Sequence, residues 1–552
     1  MDKGIGVNPL IPGKRSEELR DLERVVYQKL RAPFLSGETL QIPPLSSVGK
    51  SWGVNLRRIE GSCSPRFDRP LKELQTLGRA ELTEKAIAYS GAYLDDLPSV
   101  ESQNIIMSGH QPDLFHPGVW YKNFVLAELG AKQNAFAVNL VVDTDICPNP
   151  VVSFPNISDN LDDWKETRLE CVAMDSAAAK VPYESRSVVN WKLFESFGRR
   201  LNQRFRRGGS PCVVEHLWKH VNVAASRLDN RSIGLGHLVA AGRHRLESEF
   251  GLRTFELPIS QLAETAAFAC FLKSILLAAD EFRLVYNSVL DEYRNVHRIR
   301  SDSHPVPKLA TRDGWVEIPF WMWSESECRR QPLHVRLRDD QVLLSNLLDW
   351  EFTCSLTKVD ELISKLKEEG ILIRPRALTT TLFSRLILSD LFLHGIGGAK
   401  YDQLTNLLAQ RFFEVKLPDF QTVTATLKLP NSFDLVSRTE LTELDRELRE
   451  VRFHPERFIP EPSESIANLI TQKQTWAFGE SASPRSRERH VAIEKLNRQL
   501  MVHASPGMDL LEERLAISRE RMRASEILSS REFSFCLFDL SVIDKLKDLA
   551  AV

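Results

Sequence analysis

The chain lacks the features that mark metal-binding, secreted or membrane proteins. Its eight cysteines are scattered and form no Cys-x-x-Cys pair, so neither a zinc site nor a disulfide framework is predicted. No apolar run approaches the roughly 20 residues that a membrane-spanning helix needs. The first residues carry no apolar signal core. We therefore expect a cytoplasmic protein without a membrane partner.

The sequence also lacks an excess of charge of one sign. Lysine and arginine number 72 against 74 aspartates and glutamates, which gives a formal net charge of -2. This balance argues against a general nucleic-acid partner. The 43% hydrophobic and 26% charged residues are typical of a globular protein. A chain of 552 residues is too long for a single hydrophobic core, so we expect more than one domain. We predict an N-terminal helical part at 1–100, an α/β core with a parallel sheet at 101–430, with insertions at about 151–280, and a C-terminal helical hairpin at 431–552.

The most informative segment is a strand, loop, helix and strand in succession. An apolar run at 105–107 leads into a turn rich in Gly, His and Pro, and an amphipathic segment follows it. A second apolar run at 135–142 ends in Asp143 and Asp145. Ligands of open parallel sheets bind at the carboxyl ends of the strands. The sequence therefore predicts one crevice that collects the polar residues of both strand ends.

The candidate catalytic residues of this crevice are His110, His116, Asp143 and Asp145. Histidine suits proton transfer at neutral pH, and carboxylates at a strand end bind amines, hydroxyls or metals. The candidate substrate-binding residues of the same turn are Gly109, Gln111, Gly118 and Lys122. The alternatives are histidines that only cap a helix and acids that only form turns. Cys147 lies nearby, and for it a buried apolar role is favoured over a nucleophile.

Two further segments are candidates for binding an anion. A glycine-rich turn at 395–400 contains Gly397, Gly398 and Lys400 and precedes a helix, which suits an anion, although an ordinary turn between helices is favoured. A basic cluster around Arg294 follows a predicted strand at 282–289, and its alternative is a solvated helix face. No metal site is predicted.

Other elements are predicted from hydrophobic periodicity. We expect a helix at 17–30 capped by Ser16, a strand pair at 315–323 and 333–337, and a single helix at 378–392. The tail has leucines at helical spacing in three charged segments at 433–451, 485–500 and 509–528. These segments predict a helical hairpin or short antiparallel coiled coil.

Three motifs resemble the cysteine-adding enzymes of bacillithiol biosynthesis. The stretch SGHQPDLFHPGVWYK at 108–122 is similar to that family's Gly-Gln-Gln…Leu-Phe-x-Gly-Pro…Tyr-Lys turn. VDTD at 142–145 stands where the family has an acid-rich strand end, and LILSDLFLHGIGGAK at 386–400 resembles its helix leading into a glycine-rich turn. The resemblance implies a Rossmann-like core related to class I nucleotidyltransferases, a coiled-coil dimerisation element, and a ligase that joins cysteine to an amino-sugar substrate.

Two functions follow as hypotheses. The first is a ligase that adds cysteine or a similar amino acid to an amino sugar, with ATP or another nucleotide as a candidate cofactor and a homodimer through the C-terminal helices. The second is a non-catalytic protein that binds a nucleotide-like ligand. Val119 motivates the second, because it stands at the last histidine of the nucleotidyltransferase His-x-Gly-His signature.

Overall fold

The computed structural model describes residues 24–60, 63–99, 102–156, 167–206, 212–228, 233–430, 438–479 and 487–551. The chain divides into two compact units. The main unit contains Met1–Val152, Val172–Leu427 and Arg531–Val552, and the second unit contains Ser153–Cys171 and Lys428–Ser530. None of the helices in these described ranges is both long enough and apolar enough to cross a membrane.

The structure is mixed α/β. Its strands are β1 (Thr39–Ile42), β2 (Ile105–His110), β3 (Phe136–Val141), β4 (Val151–Asn156), β5 (Arg168–Ala173), β6 (Phe255–Pro258), β7 (Thr311–Arg312), β8 (Trp315–Ser324), β9 (Gln331–Arg338), β10 (Gln341–Ser345), β11 (Glu351–Ser355), β12 (Ile371–Pro375), β13 (Leu391–His394) and β14 (Gln421–Ala425). Its α-helices are α1 (Val48–Glu60), α2 (Leu71–Gly91), α3 (Pro117–Lys132), α4 (Trp191–Glu195), α5 (Phe197–Arg206), α6 (Val213–Arg227), α7 (Leu235–Glu249), α8 (Ile259–Leu262), α9 (Ala266–Leu276), α10 (Ala279–His297), α11 (Leu362–Glu368), α12 (Ala377–Phe383), α13 (Ile396–Leu408), α14 (Arg438–Phe453), α15 (Glu464–Phe478), α16 (Arg487–Leu528) and α17 (Ser541–Ala550).

The main sheet has six strands in the order β1, β14, β13, β2, β3 and β6. The last five are parallel, and β1 is antiparallel to β14 at the edge. The predicted strand, helix and strand at 105–142 are confirmed as β2, α3 and β3, and β2 pairs with β3 in parallel. Because the strands are parallel, the loops after β2, β3, β6 and β13 all start at the same edge.

Helices cover both faces of this sheet. Alternate residues of β2 and β3, such as Met107 and Val138, enter a large core with apolar residues of α2 and α9, such as Leu82 and Phe271. Helix α3 contacts β2, β3 and β14 but contributes no residue to that core, so it covers the opposite face. An antiparallel second sheet has the order β11, β10, β9, β8 and β12, and it confirms the predicted pair at 315–323 and 333–337 as β8 and β9.

The predicted strand at 282–289 and the predicted single helix at 378–392 are wrong. The predicted strand at 282–289 lies inside helix α10, whose buried residues Phe282, Tyr286, Val289 and Tyr293 recur every three or four positions. The predicted helix at 378–392 ends earlier: α12 passes through a π-helical turn into β13, which pairs with both β14 and β2. A short apolar run is compatible with a buried strand or a buried helix, so contacts with distant parts of the chain determine which one forms.

The predicted N-terminal helix falls partly outside the described residues. Ser16 and residues 17–23 lie outside the described residues, and residues 24–30 are described and are not helical.

The second unit contains the three helices α14, α15 and α16. Helix α16 is continuous over 42 residues, so the expected break between 500 and 509 is absent, and α15 was not predicted. Helices α14 and α15 both pack on α16, and their apolar stripes share one core that includes Leu444, Ile466, Leu500 and Leu515. The predicted leucine stripes thus bury one another within this unit.

Candidate functional site

A cleft opens at the carboxyl ends of β2 and β3 in the main unit. Its volume is about 410 Å³. The lining residues are Gln111, Asp113, Phe115, Val119, Asp145, Ile146, Pro148, Tyr183 and Arg330. A volume of several hundred cubic ångströms fits a small molecule.

Asp145 is the centre of a polar cluster in the cleft. Gln111 Nε2 donates to Asp145 Oδ2 at 2.9 Å, and Arg330 Nη1 donates to Asp145 Oδ1 at 3.1 Å. Arg330 also donates to the carbonyl of Thr144 at 3.2 Å, and its guanidinium lies 4.5 Å from the ring centre of Trp321. These contacts hold an arginine with donors beside the open volume, which suits a carboxylate or phosphate. The sequence prediction missed Arg330, which follows β8 and lies far from β3 along the chain.

Asp113 and Tyr183 form a second polar pair in the same cleft. Tyr183 and Asp113 are close enough to shift each other's ionisation, and Asp113 Oδ1 accepts from the backbone N–H of Leu114 at 2.7 Å. Desolvation by surrounding atoms raises the pKa of Asp113, and burial together with the charge of Asp113 holds the pKa of Tyr183 far above its usual range. Tyr183 therefore stays a neutral hydrogen-bonding group at neutral pH.

Asp143 is separated from Asp145 and lies in a buried cluster. Its Oδ1 accepts from the Ser260 N–H at 3.0 Å, and its Oδ2 accepts from the Ser260 hydroxyl at 2.5 Å and from His237 Nε2 at 2.9 Å. Glu184 lies beside it and pairs with Arg374, whose Nη2 donates at 3.0 Å. Burial, opposed by Arg374, raises the pKa of Glu184 to about 7, and the charge of Asp143 adds to the increase. The carboxylate of Asp143 is thus fully engaged at the end of β6.

His110 is buried at the end of β2, and each of its ring nitrogens lies beside an oxygen atom, to one of which the neutral ring donates. Nδ1 lies 3.1 Å from the carbonyl oxygen of Gln111, and Nε2 lies 3.0 Å from the side-chain oxygen of Asn123. Burial and the positive charges of Arg243 and Lys122 hold the pKa of His110 well below its usual value. The imidazole therefore connects the end of β2 to Asn123 of α3, and it is not among the residues that line the cleft.

Asn123 links His110 to a buried ionic network between α3, α7, β3 and β6. Arg243 Nη1 donates to Glu247 Oε1 at 2.7 Å, and Nη2 donates to Glu256 Oε1 at 2.5 Å. The Asn123 amide donates to Glu247 at 2.8 Å, and the Asn139 amide donates to Glu256 at 2.6 Å. Residues of helix α7 therefore form a polar layer behind the strand ends, which periodicity did not predict.

His116 is the N-cap of α3. Its Nδ1 accepts the backbone N–H of Gly118 at 3.1 Å, and its Nε2 lies 3.7 Å from Glu532 Oε2. Burial lowers the pKa of His116 to about 4, with Glu532 opposing the shift and Arg531 adding to it. The imidazole is therefore neutral at neutral pH and caps the helix. This arrangement corresponds to the capping alternative of the sequence analysis.

Lys122 and Gly109 meet at the end of β2. Lys122 Nζ donates to the carbonyl of Gly109 at 2.6 Å. Burial, with a contribution from Arg243, lowers the pKa of Lys122 to about 7. Cys147 is also buried nearby, and burial raises the pKa of its thiol to about 11, which disfavours the thiolate that a nucleophile needs.

The glycine-rich turn lies at the start of α13, directly after β13. Gly395 is the N-cap, Gly397 is exposed, and a Cβ atom on Gly398 would lie 2.6 Å from His394 Nδ1. Lys400 is exposed. His394 Nε2 and Arg385 both bind Asp402. Burial raises the pKa of Asp402, but Arg385 and His394 together lower it to about 2.

The Arg294 side chain is bound by backbone carbonyls. Its guanidinium donates to the carbonyls of Asp302, His304 and Val306 at 2.6, 3.1 and 2.9 Å. It emerges from a helix, α10, and all three partners belong to one loop. Its donors are therefore used to fold that loop.

Of the predicted residues, Gln111 and Asp145 line the cleft, whereas His110, His116 and Asp143 have partners outside the lining. Among the residues that the structure describes, no three His, Cys, Asp or Glu side chains form a group able to hold a metal ion. Comparison of the chain with models of known protein families and with curated proteins gave no match in either case.

Proposed function

We propose that this protein is an enzyme of the ligase class, which holds a small polar substrate in the cleft beside Asp145 and joins cysteine or a similar amino acid to an amino sugar. The observation that carries the proposal is the cleft of about 410 Å³ with carboxylates and an arginine in its lining. Carboxylates suit the amine and hydroxyls of an amino sugar, and Arg330 suits a carboxylate. The reaction class rests on the resemblance of 108–122, 142–145 and 386–400 to the cysteine-adding enzymes.

The strand order supports a Rossmann-like core. The parallel strands lie in the order β6, β3, β2, β13 and β14, which is third, second, first, fourth and fifth along this set of strands. Doubly wound nucleotide-binding sheets begin with this order, and their ligands bind where it reverses. A nucleotide is therefore the cofactor class that we propose for a ligation that consumes ATP.

The cleft can be tested with two substitutions and one control. Asp145→Asn and Arg330→Met each remove a charge from the lining, and we expect either to weaken ligand binding or turnover at least tenfold, a loss of about 1.4 kcal/mol. Arg329→Met removes the same charge from an exposed neighbour and should change neither. Purified protein would be given cysteine, amino-sugar acceptors and ATP, with products followed by mass spectrometry and binding by thermal shift. Equal behaviour of Arg329→Met and Arg330→Met would refute the assignment of the cleft.

A non-catalytic binding protein is the second candidate, and the histidines favour it. Both ring nitrogens of His110 lie beside oxygen atoms, Nδ1 of His116 accepts the Gly118 N–H, and the pKa of each histidine lies below its usual value. His116→Asn keeps an acceptor for the Gly118 N–H but removes the imidazole. Saturable stabilisation without any product would favour binding alone. Turnover that survives in His116→Asn would favour a ligase whose catalytic groups are in the cleft lining.

We further propose that α14 and α16 act as an antiparallel coiled coil that supports a homodimer. Arg519 Nη2 donates to Asp445 at 3.2 Å, which joins the middle of α14 to the last third of α16. Val491, Val502 and Leu510 leave apolar surface exposed on α16. Light scattering at low micromolar concentration should give twice the chain mass of 62.9 kDa. A strictly monomeric particle would contradict the dimer.

A further inference from the structure

Lys122 has a buried amine and no ion-pair partner among the residues that the structure describes. The residue is 5% exposed, and the carbonyl of Gly109 is its only hydrogen-bond acceptor in the described parts of the chain. A buried ammonium that lacks a negative partner is costly. The ammonium has three donors, so one carbonyl leaves most of its hydrogen-bonding capacity unused.

Among the described residues, the titratable groups that interact electrostatically with Lys122 are one arginine and two histidines. Arg243 of α7, His110 of β2 and His116 at the start of α3 all interact electrostatically with it. The nearby acids are engaged elsewhere, since Glu247 and Glu256 pair with Arg243. On the side of β13 and α13, Asp402 pairs with Arg385 and His394. Glu247 and Glu256 share one arginine, and Asp145, which pairs with Arg330, acts electrostatically on Tyr401 of α13. In the described parts of the chain, none of these acids forms an ion pair with Lys122.

The start of α13 lies beside this lysine. A Cβ atom on Gly395 would be 3.9 Å from Lys122 Cδ, and Gly395 is an N-cap without a side-chain cap. The first N–H groups of a helix have no partner within the helix, and the helix dipole makes this end positive. A Cβ on Gly397 would meet no atom within 4 Å, so space is open next to the first turn.

The location is also the point at which the strand order reverses. Lys122 binds the end of β2, and α13 follows β13, the next strand on the side away from β3. Ligands of open parallel sheets bind at such reversal points.

We propose that Lys122 and the N-terminal turn of α13 form a binding site for an oxyanion, a phosphate or carboxylate group of a ligand. The inference rests on the proposed function and deepens it, because the reversal of the strand order is where the nucleotide is proposed to bind. The site itself uses neither Asp145 nor Arg330, so its failure can be distinguished from that of the cleft.

Anion binding at this site is coupled to proton uptake. The free protein has a Lys122 pKa of about 7, because burial and Arg243 disfavour the ammonium. A bound anion favours the ammonium and raises this pKa. Anion binding should therefore add about 0.9 proton to Lys122 at pH 8 and about 0.1 proton at pH 6. The affinity for the anion should be about tenfold higher at pH 6 than at pH 8.

Isothermal titration calorimetry with sulfate tests this coupling in the intact chain. Sulfate carries no titrating proton in this range, so proton uptake measured in two buffers of different ionisation enthalpy reports the protein. The expected result is large uptake at pH 8 and little at pH 6. Failure of sulfate, pyrophosphate and acetate alike to bind at millimolar concentration would overturn the site. Equal uptake at both pH values would overturn the role of Lys122.

Lys122→Met tests the residue directly, and Lys132→Met, an exposed lysine of the same helix, is the matched control. We expect Lys122→Met to lose at least tenfold in sulfate affinity together with the proton uptake, whereas Lys132→Met keeps both. Full affinity in Lys122→Met would refute the proposal. Should Lys122→Met not fold, the proton count of the unmodified protein still decides. Competition by pyrophosphate identifies a phosphate ligand, and competition by acetate identifies a carboxylate.

Discussion

Arg243→Met is expected to lower the free energy of unfolding by about 3–5 kcal/mol, because it leaves two buried carboxylates without their cation. Arg243, Glu247 and Glu256 are each about 1% exposed in their side chains, and the arginine contacts both acids at 2.7 and 2.5 Å. Methionine fills a similar volume, so the lower free energy of unfolding would come from the unpaired charges and not from a cavity. Urea denaturation at neutral pH, followed by circular dichroism, measures it.

Arg253→Met is the control for this prediction. Arg253 pairs with Asp96 at 3.0 Å, but the two side chains are 52% and 74% exposed. Exposed pairs contribute about 0–1 kcal/mol, so this substitution should have little effect. Adding Glu256→Gln to Arg243→Met should recover part of the stability, because it removes one of the unpaired charges. A loss of the same size in Arg253→Met would show that the buried network has no special role.

Gly118→Ala is expected to destabilise the main unit by about 3 kcal/mol or to prevent its folding, since overpacking of this severity forces a backbone shift. A Cβ atom at Gly118 would lie 2.2 Å from the carbonyl oxygen of Ala425 and 2.6 Å from Arg531 Nη2. The carbonyl belongs to β14 and cannot rotate away, so the start of α3 must leave the sheet. The same shift would break the His116 cap.

Gly49→Ala is the matched control for Gly118→Ala. A Cβ atom on Gly49 in α1 would meet nothing within 4 Å. Alanine should therefore stabilise the helix by about 0.5–1 kcal/mol. Thermal unfolding of both variants tests the pair, and the close contact at residue 118 would be contradicted if both variants melted at or above the temperature of the unmodified protein.

The sequence by itself determined the local elements around the cleft. The apolar runs before Gly109 and before Asp143 predicted β2 and β3, and the histidine, proline and glycine at 116–118 predicted the start of α3. Asp145 and Gln111 were predicted to lie together, and the structure joins them by a hydrogen bond. These features depend on residues close in sequence, where hydrophobic periodicity and turn chemistry are informative.

Only the tertiary structure decided what the polar side chains do. Arg330 reaches Asp145 from a different sheet, His237 and Ser260 bind Asp143, and Asn123 binds His110. Arg330, His237 and Ser260 are 185, 94 and 117 residues from their partners, whereas Asn123 is 13 residues from His110 but on helix α3. Whether a histidine or carboxylate is free or fully engaged depends on its burial and on the charges around it, and both arise when distant segments pack. The apolar run at 391–394 is likewise a strand because of its neighbours. Strands β14 and β2 hydrogen-bond to it on both sides, and a helix there would leave backbone groups of those two strands without partners.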